Sequence, residues 1–396
     1  MAEARTAEAH DPVARAAEMR PLLARNVAQA EKDRRLPAEN IEALQSANLF
    51  KVMVPRRWGG YGATLPETLS TFAELAKDCP STGWVAMIIN GVSWWASRLP
   101  DRGQEEIFAS ADGSRACAAG SPTGLGRSVD GGIRISGKFP FASGCRHSSW
   151  GGLGVPVEDD AHHVIDQLTA FAPMSELEIE DTWFVAGMRG TGSNTLVAKD
   201  VFVPHHRVLL TSKLLSPDPS LRQRSGEPSD KYAFAAATTL IGISPVMGIA
   251  QALLEKVLEG TRTRGITMTT YARQADAPVV QHQIADAALK IDAACLQALN
   301  CAEEIENGAS AGREMDYIAR ARARGIAGFA AKLLREAIDE LVSIGGASGF
   351  ADSSPLQRMW RDANIATRHA LLATDPALEI YGRALIGGEG NISPFV

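Results

Sequence analysis

Residue types that do chemistry are sparse in this chain, and one histidine stands apart. His369, in Arg368-His369-Ala370, sits among apolar residues. An imidazole, with an ordinary pKa of about 6.5, takes or gives a proton near neutrality; in such surroundings it is otherwise a satisfied core residue. Ser143, in Phe139-Pro-Phe-Ala-Ser143-Gly144, carries a hydroxyl that can both donate and accept a hydrogen bond, or else it is only the turn residue before a glycine. Gly190-Thr191-Gly192-Ser193 sets two more hydroxyls beside glycines that allow close backbone approach, and as a bare motif it is also a β-turn. Trp84, Trp94 and Trp95, with Ser93, could line a large planar pocket, although tryptophans in a helical segment are core more often than ligand contacts.

What the chain lacks narrows the chemistry further. No GxGxxG fingerprint opens a βαβ unit, so reducing power must come from elsewhere than a bound nicotinamide. The five cysteines, Cys79, Cys117, Cys145, Cys295 and Cys301, show no metal-ligand spacing and read as reduced, mostly buried thiols. His162-His163 and His205-His206 are adjacent pairs that point to opposite sides of a strand, cannot readily chelate one ion, and read as surface residues. No metal site is expected. A net charge of −6, with basic residues interspersed among acids, gives no overall attraction to nucleic acid or anionic membranes. The chain contains no uninterrupted apolar run approaching about 18 residues, and its N-terminus lacks a signal-peptide core, so a soluble cytoplasmic protein is expected.

The elements that must position these residues change character twice. The first third carries alanine, leucine and glutamate at helical spacing, as in Val13 to Arg35 and Leu65 to Lys77, and predicts a helical domain over residues 1–115. From Ala116 the pattern turns to alternating apolar positions such as Ile133 and Ile135, and to runs such as Leu196 to Val203, predicting a β domain over 116–211. The Ser/Pro/Arg-rich segment Ser212 to Ser229 reads as an exposed loop. Over 212–396 helical spacing returns. Ile284, Ala288, Ile291, Cys295, Ala298, Ala302 and Ile305 form one buried stripe, and Ile326, Phe329, Leu333, Ala337 and Leu341 a second, capped by Gly345-Gly346. Long seams of this kind predict a four-helix bundle, and the whole an α+β chain.

The quoted motifs fall in a suggestive order. Pro55-Arg-Arg-Trp-Gly-Gly-Tyr-Gly62, Ser81-Thr-Gly-Trp84, Gly131-Gly-Ile-Arg-Ile-Ser-Gly-Lys138 leading to Phe141-Ala-Ser-Gly144, and Gly187-Met-Arg-Gly-Thr-Gly-Ser193 precede Ile344-Gly-Gly-Ala-Ser-Gly-Phe350, Arg361-Asp362 and His369. Each is weak alone. Together they resemble the acyl-CoA dehydrogenase superfamily over nearly the whole chain, and more narrowly its group D branch of two-component flavin-dependent monooxygenases.

The resemblance implies an acyl-CoA dehydrogenase-like fold and a set of flavin contacts. It lays Ser143 beside flavin N5, with Phe139 where relatives often have tryptophan. Cys117-Ala-Ala-Gly120-Ser121-Pro122 faces the pyrimidine edge, where the backbone N–H groups of Gly120 and Ser121 suit a polar ring edge. Arg264, with Arg262 in reserve, closes a helix starting near Pro245 and reaches flavin phosphate across a subunit interface; a cation complementing a helix C-terminus is the other reading. Gly345 and Gly346 belong to the flavin-binding end, where an Arg361-Asp362 pair opens the next helix. In dehydrogenases of the family an acid often follows that aspartate by eight positions; here the position is Ala370. His369, on the helix that presents side chains to the flavin, would sit near C4a and the substrate, to remove a phenolic proton or donate toward a peroxide.

The implied reaction takes non-covalent, diffusible reduced FMN or FAD from a separate NAD(P)H-dependent flavin reductase, adds O2 to give a C4a-hydroperoxide, and hydroxylates an electron-rich aromatic ring, polycyclic rings included. Trp84, Ser93, Trp94 and His369 would line the substrate site of a homotetramer. Alternatives are N- or S-oxygenation on the same fold, an acyl-CoA dehydrogenase or oxidase, and a scaffold that binds a ligand without redox chemistry. Some dehydrogenases carry their base on an earlier bundle helix, near Ala233 to Thr239 here; that stretch has no acid, and Asp230 is the nearest.

Overall fold

A computed structural model describes residues 11–109, 115–121, 123–158, 163–216, 225–393 and 395–396. Among the described residues six helices come first: α1 (Pro12–Glu18), α2 (Arg20–Asp33), α3 (Ala38–Ser46), α4 (Leu65–Ala76), α5 (Pro80–Ala96) and α6 (Asp101–Phe108). Their starts follow local chemistry. Asp11 accepts the Val13 N–H at 2.8 Å to cap α1, and Thr64 with Glu67 forms a capping box on α4. The helix α5 is buried nearly all round, because it lies between the other helices, the sheets and the C-terminal bundle.

Eight strands follow among the described residues, in two sheets. In chain order they are β1 (Ala116–Ala119), β2 (Leu125–Val129), β3 (Gly132–Ala142), β4 (Trp150–Glu158), β5 (Val164–Pro173), β6 (Glu178–Glu180), β7 (Asn194–Pro204) and β8 (Val208–Leu210). One sheet runs β1-β4-β5-β8 and the other β2-β3-β7-β6; among the described residues only the β1–β4 pairing is parallel. Ile135, Phe139, Leu153, Ala170, Leu196 and Val203 fill the space between them. A second apolar cluster, including Val92, Leu99, Ile107, Trp150 and Phe171, seals the sheets onto α5 and α6. The pair His205-His206 lies not on a strand but in a 3-10 turn, and His206 is no free surface residue: its Nε2 is 3.0 Å from Glu106 of α6. His162 lies outside the described residues, as does the stretch 217–224 of the segment read as a loop. That segment opens instead with the short helix α7 (Thr211–Leu215), and residues 228–231 form a 3-10 turn.

The C-terminal part contains α8 (Phe234–Thr261), α9 (Pro278–Ser310), α10 (Tyr317–Ile344), α11 (Pro355–Ala366) and α12 (Thr374–Leu385). The helix expected to start near Pro245 begins eleven residues earlier, with Pro245 inside it. A proline there removes the N–H that would bond the Ile241 carbonyl. The Ser244 hydroxyl takes that carbonyl at 2.6 Å, so the helix continues. By length and composition α8 could cross a bilayer, yet here it is packed between α4, α5, α10 and α9 as the core of the bundle. The stripe on α9 includes buried Ile291, Cys295, Ala298, Ala302 and Ile305. On α10 the buried line runs through Ala327, Ala330, Leu334, Ala337 and Leu341, leaving Phe329 and Leu333 at its margin. Arg361-Asp362 does not open α11 but lies in its second half.

Candidate active site

A break in the β3–β7 ladder aims Ser143. Pairing passes from Phe139–Leu196 to Ala142–Asn194, so β3 holds one residue more than β7 over this stretch. Pro140 cannot donate to the ladder, and Phe141 takes a positive φ of 66°. The chain then turns at Gly144, with φ 74°, where a Cβ would lie 2.9 Å from Val85 Cγ1 of α5. Only glycine lets the loop press so close to that helix. Gly190 makes the same approach beside Ser81, its Cβ position 2.9 Å from the serine Cβ. Both loops are thereby held against α5, which carries Trp84.

Trp84 joins the two main candidates. Its indole Nε1–H donates to the Ser143 hydroxyl at 3.3 Å, and its ring meets His369 edge-on, centroids 5.7 Å apart at 63°. Behind Ser143 the hydroxyls of Ser193 and Thr191 continue at 2.6 and 2.7 Å. The Arg361-Asp362 pair holds the turn that bears Thr191. Asp362 accepts the Met188 N–H at 2.5 Å, Arg361 donates to the Ala186 carbonyl, and its other nitrogen reaches Glu31 at 2.6 Å. Burial raises the pKa of Asp362 to about 7.

His369 is not on a helix. Helix α11 ends at Ala366, and His369 caps a 3-10 turn over Ala370–Leu372 by accepting the Leu371 N–H on Nδ1 at 3.3 Å. In the neutral ring the hydrogen therefore sits on Nε2, free to donate. The turn is clamped from α10, where the buried Arg324 guanidinium donates to the carbonyls of Leu371 and of Ala370, the latter at 2.8 Å. Solvent reaches the His369 ring, yet protein surrounds it. The burial of the ring by surrounding atoms, and then the Arg324 charge, push its pKa down to about 4. His369 is thus neutral at pH 7.

Other expected residues are placed differently. Trp94 is 1% exposed, stacked on Phe234 at 5.3 Å, with its N–H on the Ser229 carbonyl; Ser93 is fully buried, and both belong to the core. Phe139 is likewise buried, under Gly124, and presents no face to a ligand. Phe141 is 66% exposed and edge-on to Trp183, forming an aromatic rim beside Ser143 that pattern reading passed over. Its only local signal was the proline before it. Gly120 and Ser121 are exposed at the end of β1. Arg262 and Arg264 are exposed after α8, and Gly346 has φ 57° with open space at its Cβ position. Gln274 ties these last two regions together, its N–H on the Arg264 carbonyl at 2.7 Å and its side chain on the Ile344 carbonyl at 2.9 Å. Through Gln274 they form one cluster. All five thiols are free and buried, and burial pushes Cys117 up to about 12, so none is an activated nucleophile. A wide cleft also opens at the C-terminal end of α5, lined by Arg98, Lys213, Asp230, Tyr232, Phe234 and Arg320, and holds none of the three central residues.

Two family models match the chain: the acyl-CoA dehydrogenase N-terminal domain over residues 10–106 and its C-terminal domain over 240–374. The chain is 34% identical to the oxygenase subunit HsaA of a flavin-dependent monooxygenase from Rhodococcus jostii RHA1, over 93% of this chain and 96% of that protein. This chain belongs to the acyl-CoA dehydrogenase superfamily, in its two-component flavin-dependent monooxygenase branch. It is also 32% identical to the oxygenase component of an FADH2-dependent resorcinol hydroxylase from Rhizobium sp. MTP-10005, over 95% of this chain and 94% of that one. The structure of XiaF from Streptomyces sp., in complex with FADH2 and glycerol, superposes with a TM-score of 0.93 at 33% identity, covering 99% of both chains. Within the superfamily this chain has no acid at the two expected places. Ala370 occupies one, and Ala233 to Thr239 is acid-free. The nearest acid, Asp230, is committed elsewhere: its Oδ2 accepts from Ser225 N–H at 2.8 Å, Ser225 Oγ at 2.7 Å and Gly226 N–H at 3.0 Å.

Proposed function

We propose that this chain is an oxygenase component that takes reduced FMN or FAD from a separate NAD(P)H-dependent flavin reductase, and with O2 hydroxylates a phenolic aromatic small molecule. The observation that carries the reading is Trp84, which sets a neutral imidazole and a buried hydroxyl on the two sides of one indole. Relatives named as aromatic hydroxylases support the substrate class. The acid-free positions favour it over a dehydrogenase.

The residues present suit a reduced flavin. Ser143 has one acceptor position left for the N5–H, the Phe141–Trp183 rim offers an apolar edge to a flat ring, and Gly120 and Ser121 offer backbone N–H groups to its polar side. Arg264, Arg262, Gly345 and Gly346 would hold phosphate for a neighbouring subunit. When bound, the reduced flavin supplies the two electrons that activate O2, one oxygen atom going to the substrate and one to water. His369 Nε2–H then donates to the phenolate oxygen, and the phenolic proton leaves to solvent. The anionic ring, a far better nucleophile than the phenol, is held by a donor that cannot itself compete for the proton at pH 7. Trp84 fixes both partners.

The test is direct. The pure chain with added flavin should not oxidise NADH or NADPH, and adding a flavin reductase should give hydroxylated product carrying one atom of labelled O2. Robust NADH oxidation by the chain alone would contradict the two-component reading, and bleaching of bound oxidised flavin by an acyl-CoA would select the dehydrogenase.

We also propose a homotetramer in the cytoplasm. Leu289 and Leu296, seven residues apart on α9, are 68% and 60% exposed and form an uncovered apolar strip suited to a second copy. Light scattering should give a mass near four times the 42.2 kDa chain. A fully active monomer at dilute concentration would remove the assembly from the mechanism.

A further inference from the structure

We infer that Ser193 and Thr191 fix the direction of the Ser143 hydroxyl and thereby make the site discriminate reduced from oxidised flavin; this rests on the flavin reading above. The argument is one of hydrogen counting. The Thr191 hydroxyl lies 2.8 Å from the Met188 carbonyl, which can only accept, so its hydrogen is committed there. Ser193 Oγ, 2.7 Å from Thr191 Oγ1, must then donate to it. Ser143 Oγ, 2.6 Å from Ser193, must in turn donate to Ser193. At the other end the Trp84 indole N–H, which cannot accept, donates to Ser143.

The chain of four bonds can therefore run only one way, from indole to carbonyl. Ser143, Ser193 and Thr191 are 7%, 4% and 1% exposed, so no bulk water offers an alternative partner. Ser143 is left with one lone pair and no hydrogen for a ligand. Whatever sits against it has to bring a donor. Reduced flavin carries N5–H; oxidised flavin presents a bare N5 lone pair, which would face the serine lone pair. The hydroxyl that could both donate and accept in the sequence is, in its folded setting, an acceptor. Ser193 and Thr191 are positioning residues acting through it.

The experiment is equilibrium binding of the full chain to one flavin in two redox states, without substrate or turnover. Oxidised FMN or FAD, and the same flavin reduced with dithionite under anaerobic conditions, are titrated into wild type and variants. Wild type should prefer the reduced form. Ser193→Ala frees the Ser143 hydrogen to turn toward N5, so the ratio of oxidised to reduced Kd should fall about tenfold, the size of one hydrogen bond gained or lost in a dry site. Thr191→Val, which keeps the volume and removes the hydroxyl, should lower the ratio several-fold, while Thr191→Ser should restore the wild-type value. A purely structural role would change both Kd values together and leave the ratio fixed. An unchanged ratio in Ser193→Ala and Thr191→Val overturns the inference. A wild-type chain that binds neither redox state overturns the flavin reading instead.

Discussion

Replacing His369 with alanine is expected to slow hydroxylation roughly 100-fold to 1,000-fold, the usual loss when one preorganised donor is removed from an active site. Flavin binding should survive, since the residue touches Trp84 rather than Ser143. The pH dependence identifies its role. A histidine acting as a base with an ordinary pKa would put a limb near pH 6.5 in the profile for oxygen transfer. Here burial and the Arg324 charge hold the pKa down to about 4, so the ring stays neutral from about pH 5 upward. The profile should be flat through 6.5 as far as His369 is concerned, rise only with the substrate's own phenolic pKa, and fall toward pH 4, where a protonated Nδ1 can no longer accept the Leu371 N–H that orients the ring. His369→Gln, which keeps an N–H donor, should recover part of the rate, whereas a base could not be replaced by an amide. Single-turnover rates across pH for the three proteins make the measurement. A limb at 6.5 that disappears in both variants would return His369 to general base catalysis.

Ser143→Ala is expected to fail earlier. Without the hydroxyl the N5–H loses its acceptor and the Trp84 N–H is left buried and unpaired, together worth about 1 to 3 kcal/mol and thus about 5-fold to 150-fold. The loss should appear as uncoupling: NADH and O2 consumed through the reductase, hydrogen peroxide formed, and product per NADH lowered by at least about fivefold. His369→Ala should instead slow the transfer step itself. The two substitutions share Trp84 as neighbour, so their combined effect should be less than additive. Wild-type coupling in a folded, flavin-binding Ser143→Ala chain would detach the serine from the flavin.

Much of the scaffold was legible in advance because it is local. Apolar residues three and four apart along α9 can be buried only on one helical face, alternation around Ile133 to Ile135 only on a strand, and the change between them near Ala116 marks where one gives way to the other. Pro245 misled for the same reason. A proline normally ends a helix, and its neighbour Ser244 cancels the effect through a single bond to Ile241 that no periodicity records.

The site divides along the same line. Residue types made His369, Ser143, Thr191, Ser193 and Trp84 visible, and the family resemblance raised Ser143 above a turn residue and His369 above a core histidine. Tertiary structure decided what each can do. Trp84 and Ser143 are 59 positions apart, Ser143 and Ser193 are 50 apart, and Asp362 lies 174 from the Met188 N–H it holds. Such partners are chosen by packing, not by spacing, and packing alone determined that Trp94 is core, that His369 leaves its helix to cap a turn, and that the hydroxyls behind Ser143 run on through Ser193 and Thr191 to the Met188 carbonyl. Sequence supplies the donors and acceptors; the direction in which a hydroxyl spends its one hydrogen exists only after the chain has folded around it.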